Sequence, residues 1–454
     1  MTASWLGRTS ERLQTLADRP ALVFLVLFAA NALARPYAGF AHDARLYSVQ
    51  VLNQVEPGSY ADDLFLKYGS QDQFSIFSRL TAPLVACFGL TATFFSIYLI
   101  FNALFIFALQ RLVLALVSDR ALALLGLLYA MIAPLPFGGL GTFLVHEPFL
   151  TPRIMANALV LFGLERLLAR RYWLSFALML AAALAHPLMA QGGLLIFLLV
   201  SAWDWLPRWA FRGLIGLAIV AAATIILLRP IGLALFGEMD ESWREIVRLA
   251  SGYNFPTEWS ARDWFNVFLS IGVVGAFAWT LRDEDRAKAR FLGVTAVIGV
   301  AGFIGTLLGS TLCYAFLFQA QPYRVLWILK AVQAPLGFCL IVRLWKHETG
   351  MSRVAAIALA LWFWTTGDQW LEFAFPLFFF PIAALVFRGL EPAPRHADWL
   401  SRSAVYNLIG GCVGWGLYKT LLIVRGAERL APLIDGVDFV RLIIDHAGVM
   451  LARS

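Results

Sequence analysis

Side chains able to take part in chemistry are concentrated in three short polar stretches of an otherwise apolar chain. The first contains His42 and Asp43, the second His146, Glu147 and Arg153, and the third Gln321, Tyr323 and Arg324. A carboxylate can accept a proton from a hydroxyl group, and a guanidinium can hold a phosphate through two parallel hydrogen bonds. The three stretches therefore carry groups that could bind an anion and activate a hydroxyl.

Asp43 also suits a structural role. Apolar residues recur every third position from Leu46 to Val55, which predicts a short amphipathic surface helix just after Asp43. Aspartate is among the preferred N-cap residues, so cap and active-site carboxylate are equally good interpretations, and both can hold together. The range 36–82 mixes charges with aromatic residues, which predicts a folded loop and not a linker.

The other stretches have structural alternatives as well. Thr151 and Pro152 predict a helix start. Glu147 and Arg153 either order this helix start or also line a binding site. His186 ends an apolar segment, where a packing role competes with exposure to a cavity. No HEXXH spacing occurs, so a zinc site is not predicted.

Composition defines the class of protein. Of 454 residues, 60% are hydrophobic and 14% charged, and the mean hydropathy is +0.73. A soluble domain has roughly 45 to 50% apolar residues, so this chain is a membrane protein. A spanning helix needs about 20 apolar residues, and the apolar runs predict an all-α, polytopic transmembrane helix bundle of about 11 to 13 spans. The net charge of +7 is spread over short loops, which excludes nucleic acid as a partner and favours the lipid bilayer.

The distribution of lysine and arginine predicts the orientation, because basic loops stay in the cytoplasm. The remaining loops are then expected outside: 36–82, 137–152, the turn at His186-Pro187, 237–263 and 313–324. Arg324 stands there against the usual charge bias, which favours a phosphate ligand over an arginine that merely extends to water. We expect one integral membrane domain, 1–454, with an amphipathic C-terminal tail, 425–454. The first apolar run could be a cleaved signal peptide, but an uncleaved first span fits the orientation better.

The order of these features resembles the GT-C superfamily of membrane glycosyltransferases, which use polyprenyl-phosphate-linked sugar donors. The resemblance depends on Asp43 after the first span, the surface helix that follows it, His146-Glu147 in the second outer loop, and Arg324 in a later one. The segments DARLYSVQVLN and LFLKYGSQDQFSIFS are also similar to a group of uncharacterised bacterial integral membrane proteins.

The resemblance implies a multi-pass enzyme of the bacterial inner (cytoplasmic) membrane that moves a sugar from polyprenyl phosphate to an unidentified acceptor on the periplasmic side. It implies that Asp43 is the base, Glu147 a second acid and Arg324 the ligand of the donor phosphate. Further substrate-binding candidates are His42, His146, Arg153, His186, Gln321 and Tyr323. No cofactor is implied, and a divalent cation at a carboxylate stays open. The alternatives are a transporter or flippase for a lipid-linked or amphiphilic substrate, and a non-catalytic membrane protein.

Overall fold

The computed structural model describes residues 14–60, 62–346 and 350–365, and these are mostly helical. The helices are α1 (Pro20–Ala34), α2 (Ala44–Val55), α3 (Leu64–Tyr68), α4 (Phe77–Phe88), α5 (Leu90–Leu116), α6 (Arg120–Ile132), α7 (Pro152–Leu168), α8 (Tyr172–Ala185), α9 (Pro187–Trp205), α10 (Arg208–Leu227), α11 (Arg229–Phe236), α12 (Glu241–Ala250), α13 (Ala261–Thr280), α14 (Arg286–Thr311), α15 (Ala315–Gln319), α16 (Leu326–Lys346) and α17 (Gly350–Thr365). Two-residue strands β1 (Pro136–Phe137) and β2 (Phe143–Leu144) pair antiparallel between α6 and α7. The all-α prediction is confirmed for the described residues.

The chain divides into two compact units, residues 1–339 and 340–454. The described residues of the second unit are the end of α16 and helix α17. The sequence also predicts spans in the apolar runs 372–388 and 403–424. These two runs and the predicted tail at 425–454 lie outside the described residues. The charged clusters of this protein lie within the first unit, residues 1–339.

Six stretches of the described chain are long and apolar enough to cross a membrane. They are Leu90–Leu116, Pro187–Trp205, Arg208–Leu227, Ala261–Thr280, Arg286–Thr311 and Ala315–Lys346. Four shorter apolar helices accompany them, at Pro20–Ala34, Phe77–Phe88, Arg120–Ile132 and Tyr172–Ala185. The protein is therefore a multi-pass membrane protein, as its composition predicts.

Prolines and one glycine divide the apolar runs into helices. The apolar run 83–117 is too long for one upright helix, so the sequence predicts a short helix before the span. The run is broken at Gly89, whose φ of +78° a glycine adopts without steric cost, and the short helix α4 precedes the long α5. Helices α8 and α9 are separated at His186, where the sequence predicts the end of an apolar segment, because Pro187 disfavours helical backbone in the residue before it.

Loops from distant parts of the chain meet at one end of the helices. The contacts are Ala38 N to Pro148 O (2.7 Å), Ile76 N to Leu184 O (3.0 Å), Leu140 N to Asp263 Oδ2 (3.1 Å) and Met239 N to Cys313 O (2.9 Å). We call this end the site side. The opposite end, where Arg120 pairs with Asp18 and Arg290 with Asp204, is called the basic side. The loops predicted to share one side do so.

The loop between α6 and α7 lies deeper than the other loops of the site side, because both helices are short. Helices α6 and α7 have 13 and 17 residues. At about 1.5 Å per residue, they are roughly 20 and 25 Å long, less than the ~30 Å of a bilayer core. Accordingly, His146 in the connecting loop contacts Asn102, near the middle of the 27-residue helix α5. The loop between α6 and α7 thus lies below the level at which the longer helices end.

Candidate functional site

A single arginine joins two carboxylates from different loops. Arg153, in the first turn of α7, donates from Nη1 to Asp43 Oδ2 at 2.7 Å and from Nε to Glu147 Oε2 at 3.0 Å. Its Nη2 lies 2.9 Å from Glu147 Oε1 at ion-pair distance, so one hydrogen bond and one charge contact join Arg153 to Glu147. The side chains of Arg153 and Glu147 are only 5% and 7% exposed. The guanidinium therefore cross-links the first two outer loops inside the protein.

The start of α7 explains how Arg153 is aimed. Pro152 begins the helix and Thr151 occupies the N-cap position with extended backbone, as predicted. The Thr151 side chain does not cap the helix. Its Oγ1 donates to Glu147 Oε2 at 3.0 Å, so the hydroxyl helps to hold the carboxylate that faces Arg153.

Asp43 stands at the N-cap position of α2 but does not cap it. Its side chain accepts no hydrogen bond from the helix, so the cap interpretation is wrong for the carboxylate. The two oxygens instead contact Arg153 and, at 2.8 Å, His42 Nδ1. The side chain is 26% exposed, and that of His42 is 52% exposed. Asp43 is thus the carboxylate of this cluster that a substrate can reach.

The surroundings of Asp43 keep it ionised. Burial alone would raise the pKa of the Asp43 carboxyl, but the positive charge and hydrogen bond of Arg153 outweigh burial and lower the pKa from its usual 3.8. The charge of Arg324 also lowers the pKa of Asp43, so the two groups interact electrostatically. The group is a carboxylate at neutral pH and can accept a hydrogen bond or a proton.

Arg324 is a buried cation without a carboxylate partner among the described residues. It lies in the 3-10 turn Pro322–Val325 and is 5% exposed. Its Nε donates to Gln321 Oε1, and its Nη1 lies 3.6 Å from Met189 Sδ. A buried charge that no opposite charge balances is costly, so this arrangement favours an anionic ligand.

Phe143 links Arg324 to the carboxylate cluster. The ring centroid of Phe143 lies 4.1 Å from the guanidinium carbon of Arg324 and 5.3 Å from that of Arg153. Both cations therefore lie against one aromatic ring, an arrangement that stabilises guanidinium groups. Sequence reasoning missed Phe143, because it comes from strand β2 and nothing in its local pattern distinguishes it from a packing residue.

The two histidines are buried and neutral. His146 is 2% exposed, and its Nε2 contacts Asn102 Oδ1. Burial lowers the pKa of His146 well below its usual 6.5. For His186, burial and then the charge of Arg324 lower the pKa in the same direction. The structure thus brings His186 close to the arginines, whereas His146 packs against α5.

Tyr323 and Gln321 support the turn that carries Arg324. Tyr323 is fully buried, and its hydroxyl donates to Asn254 Oδ1 at 3.1 Å. Gln321 is half-buried, and its backbone carbonyl accepts from Gln191 Nε2 at 3.3 Å. Tyr323 therefore positions the turn in this structure, and only Gln321 of the two is open to a ligand.

A glycine in α14 lets the Arg324 turn approach that helix. A Cβ at Gly302 would stand 2.3 Å from Val325 Cγ2 and 2.6 Å from Pro322 O, whereas one at Gly293 in the same helix would meet nothing within 4 Å. We expect Gly302→Ala to destabilise the protein by about 1 to 3 kcal/mol through overpacking. Gly293→Ala should be neutral or slightly stabilising. Unfolding midpoints in detergent check this, and equal effects of the two changes would show that the close approach is unimportant.

The cluster is not suited to a divalent cation shared by its carboxylates. The guanidinium of Arg153 occupies the position between Asp43 and Glu147 that such an ion would need. Residues 14–60, 62–346 and 350–365 contain no group of three or more His, Cys, Asp or Glu side chains arranged to hold a metal ion.

The fold and the charged cluster together define an all-α, multi-pass membrane protein with a buried ionic site at one end of its helices. No protein-family model, curated protein or solved structure matches the chain. Its function is therefore argued from the geometry of the site.

Proposed function

We propose that this protein is a membrane glycosyltransferase of GT-C type, which moves a sugar from a polyprenyl-phosphate donor to an acceptor on the periplasmic side of a bacterial inner membrane. The observation that supports it best is the placement of an accessible, ionised carboxylate, Asp43, near a buried arginine, Arg324, that lacks a carboxylate partner in the described chain. The Asp43 carboxylate is suited to activate a nucleophilic hydroxyl, and the Arg324 guanidinium is suited to stabilise a departing phosphate.

The two groups would act at opposite ends of one displacement. Asp43 accepts the proton of the acceptor hydroxyl as its oxygen attacks the anomeric carbon of the sugar. The new carbon–oxygen bond forms as the bond to the phosphate oxygen breaks. Its electron pair leaves with the polyprenyl phosphate, whose negative charge Arg324 stabilises. Direct displacement of this kind inverts the anomeric carbon.

Other members of the cluster have supporting roles in this proposal. Arg153 and Glu147 are buried and bonded to each other, so they position Asp43 and do not touch substrate. This revises the role of a second acid that resemblance implies for Glu147. His42 and Gln321, which are accessible or partly so, are the candidates for contact with the sugar.

The direct test uses the purified protein in proteoliposomes with radiolabelled polyprenyl-phosphate mannose and polyprenyl-phosphate glucose, and with membrane glycolipids and glycans as acceptors. We expect a labelled glycosidic product together with free polyprenyl phosphate. Movement of the label across the membrane with no glycosidic product would overturn the proposal and select a transporter.

Removing the charge of Arg324 should impair transfer strongly. We expect Arg324→Gln to lower the transfer rate about 10²- to 10³-fold, because one preorganised contact to the departing charge is lost. Arg324→Lys should retain part of the rate, since a lysine supplies a point charge without the bidentate fork. The matched control is Arg248→Gln on the same side, whose partner Glu258 lies 2.7 Å away in an exposed pair. Equal rates for Arg324→Gln and this control would contradict the phosphate role.

One observation favours a transporter as the second candidate. Lys330 of α16 is 4% exposed, and its amine donates to Asn266 Oδ1 of α13 at 3.1 Å. Nearby, Ser270 Oγ donates to Gln333 Oε1 at 3.0 Å. Polar groups inside spanning helices commonly mark a substrate or ion path. The proteoliposome experiment separates this candidate from the transferase.

A further inference from the structure

A second site lies at the basic side, at the opposite end of the helices from Arg153. A cavity of about 250 Å³ opens where α9 ends and α10 begins. It is lined by Trp203, Leu206, Arg208, Phe211, Arg212 and Ile215. The lining thus combines two arginines with an apolar floor, and neither arginine belongs to the cluster around Asp43.

Among the described residues, no carboxylate balances the positive charge of this cavity. Asp204 is the neighbouring carboxylate, but its oxygens already contact Arg290 at 2.7 Å and the Tyr172 hydroxyl at 2.8 Å. Within the described chain, Arg208 and Arg212 have no carboxylate within the 4 Å of an ion pair. Both are exposed, so they can pair with a ligand without breaking an ion pair.

The Trp203 ring lies near two guanidinium groups, that of Arg208 in the cavity and that of Arg290 in the pair with Asp204. The guanidinium carbon of Arg208 lies 5.7 Å from its ring centroid, and that of Arg290 lies 5.9 Å away. The Trp203 ring also meets Phe211 edge-on at 4.9 Å. Tryptophan is enriched where a membrane meets water, which is the depth of lipid headgroups.

The rest of α10 is apolar enough to contact the hydrocarbon core of a membrane. Its most apolar 18-residue window has a mean hydropathy of 2.2, and none of that window is buried in the described part of the chain. Leu206, Phe211 and Ile215 continue this apolar surface into the cavity. A ligand that fits has an anionic head beside the arginines and an apolar tail along α10.

We propose that this cavity binds an anionic phospholipid of the surrounding membrane. The phosphate pairs with Arg208 and Arg212, as guanidinium groups favour phosphate, and the acyl chains lie on the apolar side of the cavity. A zwitterionic phospholipid would leave the positive charge of the two arginines unbalanced. Inorganic phosphate would leave the apolar lining in contact with water. The proposal does not depend on sugar transfer at the other end of the helices.

The test measures phospholipid retained by the purified full-length protein. Native mass spectrometry would count phosphatidylglycerol and phosphatidylcholine bound after equilibration with each lipid. We expect the double variant Arg208→Gln with Arg212→Gln to retain phosphatidylglycerol about ten- to thirtyfold more weakly than wild type, since each basic residue near a membrane contributes roughly 1 kcal/mol. Phosphatidylcholine should bind weakly to both proteins.

The matched control is Arg170→Gln with Arg171→Gln, which removes the same charge from exposed positions on the same side. This control should retain phosphatidylglycerol as wild type does. Equal losses in the two double variants, equal binding of phosphatidylcholine, or equally effective competition by inorganic phosphate would each overturn the proposal. If the first double variant fails to fold, photoactivatable phosphatidylglycerol on the wild-type protein decides. Labelling of the segment 203–215 supports the site, and labelling only elsewhere refutes it.

Discussion

Replacing Arg153 with glutamine is expected to destabilise the protein by about 3 to 5 kcal/mol. The change leaves the Glu147 carboxylate buried without its arginine partner and removes the contact between Asp43 and α7. Removing one partner of a buried ion pair is costly because the remaining charge has lost its solvent and gained nothing. SDS-induced unfolding in mixed micelles, followed by tryptophan fluorescence, measures the effect.

Two further variants separate burial from charge. Arg120→Gln removes an arginine whose pair with Asp18 is about half exposed, so we expect a cost of only about 0 to 1 kcal/mol. Combining Arg153→Gln with Asp43→Asn and Glu147→Gln removes the stranded charges and should recover much of the lost stability. If Arg153→Gln costs no more than Arg120→Gln, the cross-link between the two loops does not hold the site together.

Asp43→Asn is expected to lower sugar transfer about 10²- to 10⁴-fold, the usual contribution of a general base. The amide has nearly the same shape and can still accept from Arg153, but it does not take the acceptor's proton. We therefore expect kcat to fall and the KM for the polyprenyl-phosphate donor to stay close to wild type. Initial rates over a range of donor concentrations measure both.

Asp72→Asn supplies the control for Asp43→Asn. Asp72 belongs to the same loop and is half-buried, but its contact is with Gln54 at 3.5 Å, away from the arginines. Its transfer rate should match wild type. Asp43→Asn should also unfold at a higher SDS concentration than Arg153→Gln, because Glu147 keeps its contact with Arg153. If Asp43→Asn retains most of the wild-type transfer rate, Asp43 is not the base of the proposed reaction.

Several features of the fold follow directly from the sequence. Apolar runs predict the helices because each spanning segment must satisfy its own backbone hydrogen bonds in lipid. Proline marks starts, as at Pro152 and Pro187. The polar stretches at 42–43, 146–153 and 321–324 could be singled out because charged groups are rare in such a chain. Alternation of the helices then predicts that these stretches share one side, and the contacts between loops agree.

The sequence could not predict which charged side chains pair with each other. Asp43 at an N-cap position could equally have bonded to its own helix, and only the tertiary structure shows that it pairs with Arg153 instead. Phe143 contacts both arginines through strand β2, a long-range packing that no local pattern encodes. Exposure likewise comes from packing, which leaves Asp43 accessible and covers Glu147.

The sequence by itself determined the class of protein, the helices and the rarity of its charged groups, because these depend on local composition and on the demands of a lipid environment. The tertiary structure decided which charges meet, which are covered, and that Arg324 stands in the described chain without a carboxylate. Those outcomes depend on residues far apart in the chain that only folding brings within a few ångströms of one another.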